Sequence, residues 1–486
     1  MKVFVSLILL PVLLLSCIID TKKEKDVFAV TIEPGKLKED IDVLKKIFQS
    51  THAGAYAYNT PAELDGFIDS VASTINEPLN LIRFYSKVNA AVDRIHCLHT
   101  AAYFNDDLMD SLRNRNAFFP IPLIAVNNKI YVNSEDWDIP LGSEIISVNN
   151  HFSKELISKL SPYAHTDGFS NKAKDCSIDD DFAYNYFMEY GPGDQFIIRY
   201  RDQKSGKGEA GTVTAKRLRD IYKDDYYKTY FFYPSDVSYD FEILDKSKAA
   251  VLTVRTFDYD TYNSTSAFTH FTDNSFRMLR QNNINNLVID LRNNSGGYYR
   301  DTYYLLSHLV QDELPEFDSV TKRFDYLPYV DYVDRDDSSK MKAENAERSE
   351  FMQLQKDCYT QKNEFIPKCK PALPVYKGNV YLLINKRVAS AASTFASILK
   401  GKANVMLVGE ETAGDNAAHN SSVITYLLPN SGIKVSIPTK RYYQPAKGVK
   451  PGTGVTPDKY IIPTLEDIMG NEDAPMNYVL DSLIRK

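Results

Sequence analysis

The segment 378–414 constrains the fold more than any other part of the chain. Val380, Tyr381, Leu382, Leu383 and Ile384 form an apolar run, and a polar corner follows at 385–389. Ser390, Ala391, Ala392 and Ser393 then enter a stretch with helical spacing, in which Phe395, Ile398 and Leu399 are apolar and Lys400-Gly401 closes the turn. A second apolar run, 405–408, ends at Gly409. The pattern predicts strand, tight turn, helix, strand. It puts Ser390 at or near the first helical position, beside unpaired N–H groups and the positive end of the helix dipole. A serine there caps the helix, or it is a nucleophile whose oxyanion is held by the N–H of Ala391.

Two other segments bear on that choice. Leu287, Val288 and Ile289 read as a buried strand running into Asp290, Arg292, Asn293, Asn294 and the pair Gly296-Gly297. Glycine permits the positive φ that a nest of N–H groups needs, so Gly296 or Gly297 is a candidate second oxyanion donor. Asp290 and Arg292 are read as braces of that turn. Residues 36–95 show three amphipathic helices, the first with Leu37, Ile41, Leu44 and Phe48 on one face. The third runs into His96, Cys97, Leu98, His99 and Thr100. Histidines at a helix end can simply complement the dipole. With a serine nucleophile in the chain, one of them is a candidate base.

The ordered set of motifs resembles peptidase family S41, which holds the tail-specific (C-terminal processing) and the tricorn-like proteases. Its marks here are Asp290-Leu-Arg292 with Gly296-Gly297, then Ser390-Ala391, then Gly409-Glu-Glu-Thr412-Ala-Gly414, then Gly454-Val-Thr-Pro-Asp458. The resemblance spans roughly residues 34–465. It implies an α/β multidomain protein with three parts: an N-terminal helical domain at 34–105 carrying His99, a PDZ-like β-rich domain at 118–220, and an α/β core of the ClpP/crotonase kind at 240–465. The segment 142–149 is similar to the strand and loop of a PDZ-like domain, with Asn150 where the family has glycine. Residues 312–374, charged and poor in branched aliphatics, read as an insertion, partly helical around 338–356.

The resemblance further implies a serine endopeptidase acting on polypeptides, with Ser390 as nucleophile, His99 as general base, and neither cofactor nor metal. His99-Thr100 is similar to the His-Thr of the tricorn-like branch. Three departures stand out. The lysine base of the tail-specific branch falls at Asp415. The glutamate that supports the histidine in the tricorn-like branch has no counterpart around 450–453. The serine before that histidine is Leu98. Asp415 is therefore the candidate acid, and the competing expectation is a catalytically inactive protein on the same fold that binds peptide or an apolar ligand, as retinoid-binding relatives do.

The first residues hold Met1-Lys2 and an apolar stretch too short to span a bilayer, with the layout of a secretory leader. Leu14-Leu15-Ser16-Cys17 resembles a bacterial lipobox, so 1–17 is expected to be a lipoprotein signal with Cys17 lipidated, and 18–33 a solvated tether. The body is then expected in the cell envelope, outside the cytoplasm. A net charge of −7 gives no reason to expect nucleic acid. Such a compartment permits disulfides, and Cys358 and Cys369, which flank a short polar stretch, are expected to pair. No Cys/His spacing has the look of a zinc site.

Overall fold

The structure is a computed structural model and describes residues 27–170, 173–221, 238–244, 248–258, 265–446 and 448–484. Cys17, the leader and most of the expected tether lie outside these residues.

The C-terminal half is built on one sheet. Its strands run in the order Tyr239–Leu244, Ala249–Val254, Asn286–Asp290, Asn379–Ile384, Val405–Gly409 and Lys459–Tyr460. The first pair is antiparallel and every later pair is parallel. The central strands are apolar throughout because both faces are covered. Helices Thr265–Gln281, Tyr299–Ser307 and Ser390–Leu399 cover one face, over Leu287, Ile289, Leu382 and Leu407. The C-terminal segment covers the other, where Val479 packs on Val288, Leu383 and Val408. All ten residues of the Ser390–Leu399 helix are buried, so it cannot shift without disturbing the core.

Three helices open the described chain: Pro34–Ser50, Pro61–Ser73 and Leu81–Asp93. Thr60 and Glu63 form a reciprocal capping box at the second, with Pro61 at its first turn. These helices pack on a second, antiparallel sheet whose long hairpin is Ala418–Leu427 with Lys434–Tyr443. Asp40, buried on the first helix, accepts the N–H groups of Asn430 and Ser431 at the hairpin's tip. The short strand Ala101–Tyr103 pairs with Lys434–Tyr443 on that sheet. This pairing sets residues 101–103 against 434–436, so the turn at 96–100 is tied to that sheet.

The 312–374 segment is less of an excursion than its composition implied. Helix Ser338–Ala346 lies where helix was expected, but strand Phe351–Gln355 follows it. Strands Ser319–Lys322, Phe351–Gln355 and Cys358–Gln361 extend the hairpin sheet through the Lys434–Tyr443 strand. Residues 118–220 contain an antiparallel sheet in the order Gly208–Thr214, Gln195–Arg201, Glu144–Val148, Lys129–Val132, Leu123–Val126. They also contain helices Ser153–Leu160 and Phe182–Tyr190, which the β-rich expectation lacked. Lys386 and Arg387, in the corner before Ser390, ion-pair with Asp179 and Asp180 of this unit, each at 2.6 Å.

The expected disulfide is not formed. All four described cysteines are free thiols. Cys358 faces Gln355 across a hairpin, whereas Cys369 faces Leu314 on a separate two-stranded ladder and its thiol donates to the carbonyl of Tyr303. Proximity in sequence does not put the two on one ladder.

Candidate active site

Ser390 sits at the first position of its helix with φ +51°. That is left-handed backbone, unfavourable for a residue with a Cβ. It persists because the loops around it leave no other course. The N–H of Ala389 donates to the carbonyl of Asn294 at 3.1 Å, and the N–H of Ala413 to that of Val388 at 2.9 Å. Gly296 (φ +110°) lies so close that a Cβ there would stand 2.7 Å from Cβ of Ser390 and 3.1 Å from N of Ala391. Gly414 packs from another side, where an added Cβ would stand 3.0 Å from N of Ser390. A strained residue over-determined by its neighbours is a common mark of a functional site.

The candidate base, His99, stands opposite. Nε2 of His99 is 3.1 Å from Oγ of Ser390, across 291 positions of sequence. The turn that carries His99 is held on its far side by Thr100. Nδ1 of His52 accepts the N–H of Gly54 at 3.0 Å, so the proton of this neutral ring is on Nε2, which donates to Oγ1 of Thr100 at 2.7 Å. Burial pushes His52 down to about 3, keeping it neutral. Burial also pushes His99 down to about 4. A neutral imidazole at neutral pH can accept a serine proton, which a protonated one cannot.

The candidate oxyanion donors divide. The N–H of Ala391 is in the first helical turn, which has no intrahelical acceptor to offer it. The N–H of Gly296 is already donated to Oδ1 of Asn294 at 2.9 Å. Gly297 (φ +137°) forms a parallel bridge with Phe257 that uses the carbonyl of Gly296 and the N–H of Tyr298, leaving its own N–H outside the bridge. Of the two glycines, Gly297 is therefore the better donor, with Ala391. Replacing Gly296 by alanine is expected to push Ser390 out of line. A displacement of about 1 Å can cost ~10²-fold, so labelling of Ser390 by a phosphonate should slow by about that factor, read as the second-order inactivation rate.

Asp290 and Arg292 brace the glycine turn from below. Arg292 donates to both oxygens of Asp290 at 2.9 Å and to Asp473 at 2.6 and 2.7 Å, while Arg255 adds a bond to Asp290 at 2.9 Å. Burial opposes the charge on Asp290, but the guanidinium groups of Arg292 and Arg255 prevail and hold its carboxyl well below the usual range.

Asp415 does not orient His99. Its carboxylate accepts the hydroxyl of Tyr58 at 2.7 Å, the N–H groups of Ala417 and Ala418 at 2.6 and 3.4 Å, and the N–H of Gly452. It fastens the loop after the nucleophile to the 448–454 loop instead. A carboxylate next to a turn satisfies local N–H groups first, and sequence proximity to Ser390 gave no sign of that. His96, the other histidine at the helix end, faces Phe169 with ring centroids 4.9 Å apart. Sequence reasoning missed Asp167, whose Oδ1 accepts the N–H of Leu98 at 2.9 Å. It missed His52 as well. A cavity is lined by Leu98 and Ala389, the chain neighbours of His99 and Ser390, and by His165, Cys176, Arg387 and Ala413.

A parallel α/β core that presents a strained serine at a helix N-terminus to a neutral histidine has the architecture of a serine hydrolase. The model of peptidase family S41 matches residues 248–461. Two solved structures of mature CPAF share the fold. One, complexed with lactacystin, has a TM-score of 0.66 at 15% identity, covering 93% of this chain and 98% of that one. The other has a TM-score of 0.63 at 14% identity, covering 90% and 94%. No curated protein sequence matches. Over residues 248–461 the chain therefore matches peptidase family S41, and this match together with the shared fold supports a serine peptidase.

Proposed function

We propose that this chain is a membrane-anchored endopeptidase of the cell envelope that cleaves polypeptides, with Ser390 as nucleophile and His99 as general base. The observation that carries the mechanism is the 3.1 Å approach of His99 Nε2 to Ser390 Oγ at the strained helix start. The hydroxyl proton passes to Nε2 as Oγ attacks the peptide carbonyl, and the imidazolium returns it to the leaving amine. The N–H groups of Ala391 and Gly297 receive the developing oxyanion. The cavity beside Leu98 and Ala413 takes the residues next to the scissile bond. The 118–220 unit is read as PDZ-like, presenting a sheet edge to which a peptide adds as a strand. A serine-directed fluorophosphonate tests the core of this reading. Wild type is expected to gain one adduct at Ser390, and Ser390→Ala none. Absence of any adduct on folded wild type would leave a binding protein on this fold as the better reading.

The anchor is proposed at Cys17, on the sequence Leu14-Leu15-Ser16-Cys17 behind a short apolar run. Firm attachment needs more than one acyl chain. Cys17→Ala is expected to leave the membrane fraction or to keep its leader unprocessed. A variant that stays membrane-bound and still incorporates labelled fatty acid would end the proposal.

A further inference from the structure

The base reading leaves two buried polar atoms unexplained, and they belong to neighbouring side chains. Nδ1 of His99 is buried with no hydrogen-bond partner. Asp167 is fully buried, and its Oδ2 likewise has none. A ring nitrogen of His99, a carboxylate oxygen of Asp167 and Sγ of Cys97 lie within 4.8 Å of one another. Nε2 of His99 is engaged by Ser390, which leaves Nδ1 as the nitrogen free to face Asp167. Buried polar atoms left alone are costly and uncommon, so two on side chains within this reach are natural partners for one another.

We propose that Asp167 is the positioning acid of this enzyme, its carboxylate receiving the Nδ1–H of His99 and so presenting a lone pair on Nε2 to Ser390. The inference rests on His99 being the base. It also accounts for two departures at once. The position before the histidine is Leu98, whose side chain cannot hydrogen-bond, yet its backbone N–H holds Oδ1 of Asp167 at 2.9 Å. Asp415 is committed to Tyr58 and to backbone N–H groups, so the acid comes from another segment.

The 166–170 loop is built to hold such a group. The N–H of Asp167 donates to Ala413 at 3.3 Å, that of Gly168 to His96 at 3.0 Å, and that of Phe169 to Gly452 at 2.8 Å. One bond thus reaches the histidine turn, one the segment after the nucleophile and one the 448–454 loop. Gly168 (φ +68°) lies against Gly452, where an added Cβ would stand 2.6 Å from its backbone. During attack the serine proton moves to Nε2, while the Nδ1 proton stays on the ring and points at the carboxylate. The imidazolium and the carboxylate then neutralise each other, and the proton on Nε2 leaves with the amine. Catalytic hydrogen bonds often tighten only when substrate closes the site.

The groups facing Asp167 are Cys97, His99, Tyr58, Asp415 and Arg441. Burial pushes its carboxyl up to about 7; the charge on Asp415 adds to this, and the N–H groups of Leu98 and Asp415 and the charge of Arg441 oppose it. The productive form is carboxylate plus neutral imidazole, so activity should rise with pH as the Asp167 proton leaves.

Asp167→Asn tests this, because the amide oxygen still accepts the N–H of Leu98. Expected is a loss of about 10²–10⁴ in kcat with KM little changed. The acid limb of the profile should also move down, toward the value burial alone gives His99. Activity within about threefold of wild type, or an unmoved acid limb, would overturn the proposal. So would one zinc ion per chain in purified wild type that is lost from Asp167→Asn, since the three side chains would then be metal ligands. His99→Ala run in parallel separates the two readings. If it is as active as wild type, the base assignment has failed. If it is dead while Asp167→Asn is unimpaired, only the role of Asp167 has failed. Should Asp167→Asn not fold, proton NMR of wild type decides. A far-downfield Nδ1–H resonance absent from His99→Ala is expected, and its absence from wild type refutes the pairing.

Discussion

His99→Ala and Ser390→Ala should each lower turnover by about 10⁴–10⁶, and the double variant should be no worse than either alone. In the proposed mechanism the two side chains perform one act. Oγ of Ser390 is a weak nucleophile until Nε2 of His99, 3.1 Å away, takes its proton, and the imidazole has no other task at the site. Once either partner is gone, removing the second changes nothing further. Residual hydrolysis would come from the N–H groups of Ala391 and Gly297 and from binding. His96→Ala should cost far less, because that ring packs on Phe169 rather than on the serine. Steady-state kinetics on an unstructured polypeptide would decide it. A His99→Ala enzyme near wild-type rates beside a dead Ser390→Ala would mean that another base serves the serine.

The parts of this site that were legible in sequence are those whose geometry is local. Ser390 falls on a strand–turn–helix because apolar periodicity changes from 2 to 3.6 within a few residues. Gly296 and Gly297 stand out because few other residues accept such backbone. The three N-terminal helices follow from amphipathic spacing and from a cap at Thr60. What pairs across the chain was not legible. Asp167 is 68 positions from His99, in a loop inside a region read as strands, and nothing in a Thr-Asp-Gly turn marks a partner so far away. Asp415 was chosen for its nearness in sequence, yet a buried carboxylate takes whichever N–H and O–H groups surround it, here Tyr58 and Gly452. The cysteines taught the same lesson, since Cys358 and Cys369 sit on separate ladders. Composition also misled in 312–374. Its polar strands gain their partners from the Lys434–Tyr443 strand, a source that no local pattern reveals.

Arg292→Ala should be the most destabilising single change at this site that leaves the dyad itself intact. Asp290 is 1% exposed and Arg292 5%, so the pair has left water, and breaking a buried pair by removing one partner typically costs about 3–5 kcal/mol. Arg255 remains on Asp290, but the two bonds from Arg292 to Asp290 and its fork onto Asp473 are lost. For a core of this size the midpoint of thermal unfolding should fall by roughly 6–20 °C. The pH dependence distinguishes this cause from a simple cavity. The folded-state carboxyl of Asp290 is held below its unfolded value by the two arginines. Its contribution is therefore complete above the unfolded value, about 3.9, and is lost as pH falls through the folded one. Without Arg292 the folded value rises, so the deficit should be largest near neutrality and should shrink below about pH 4. A cavity would cost the same at both. Activity should fall too, because Arg292 anchors the strand end from which Asn294, Gly296 and Gly297 turn toward Ser390, and a looser turn no longer fixes the oxyanion donors. Arg292→Lys keeps the charge but not the planar fork that grips two carboxylates, so it should recover part of the stability and less of the rate. Equal deficits at pH 7 and in acid, or a variant as stable as wild type, would show that the Asp290–Arg292 pair does not brace this site.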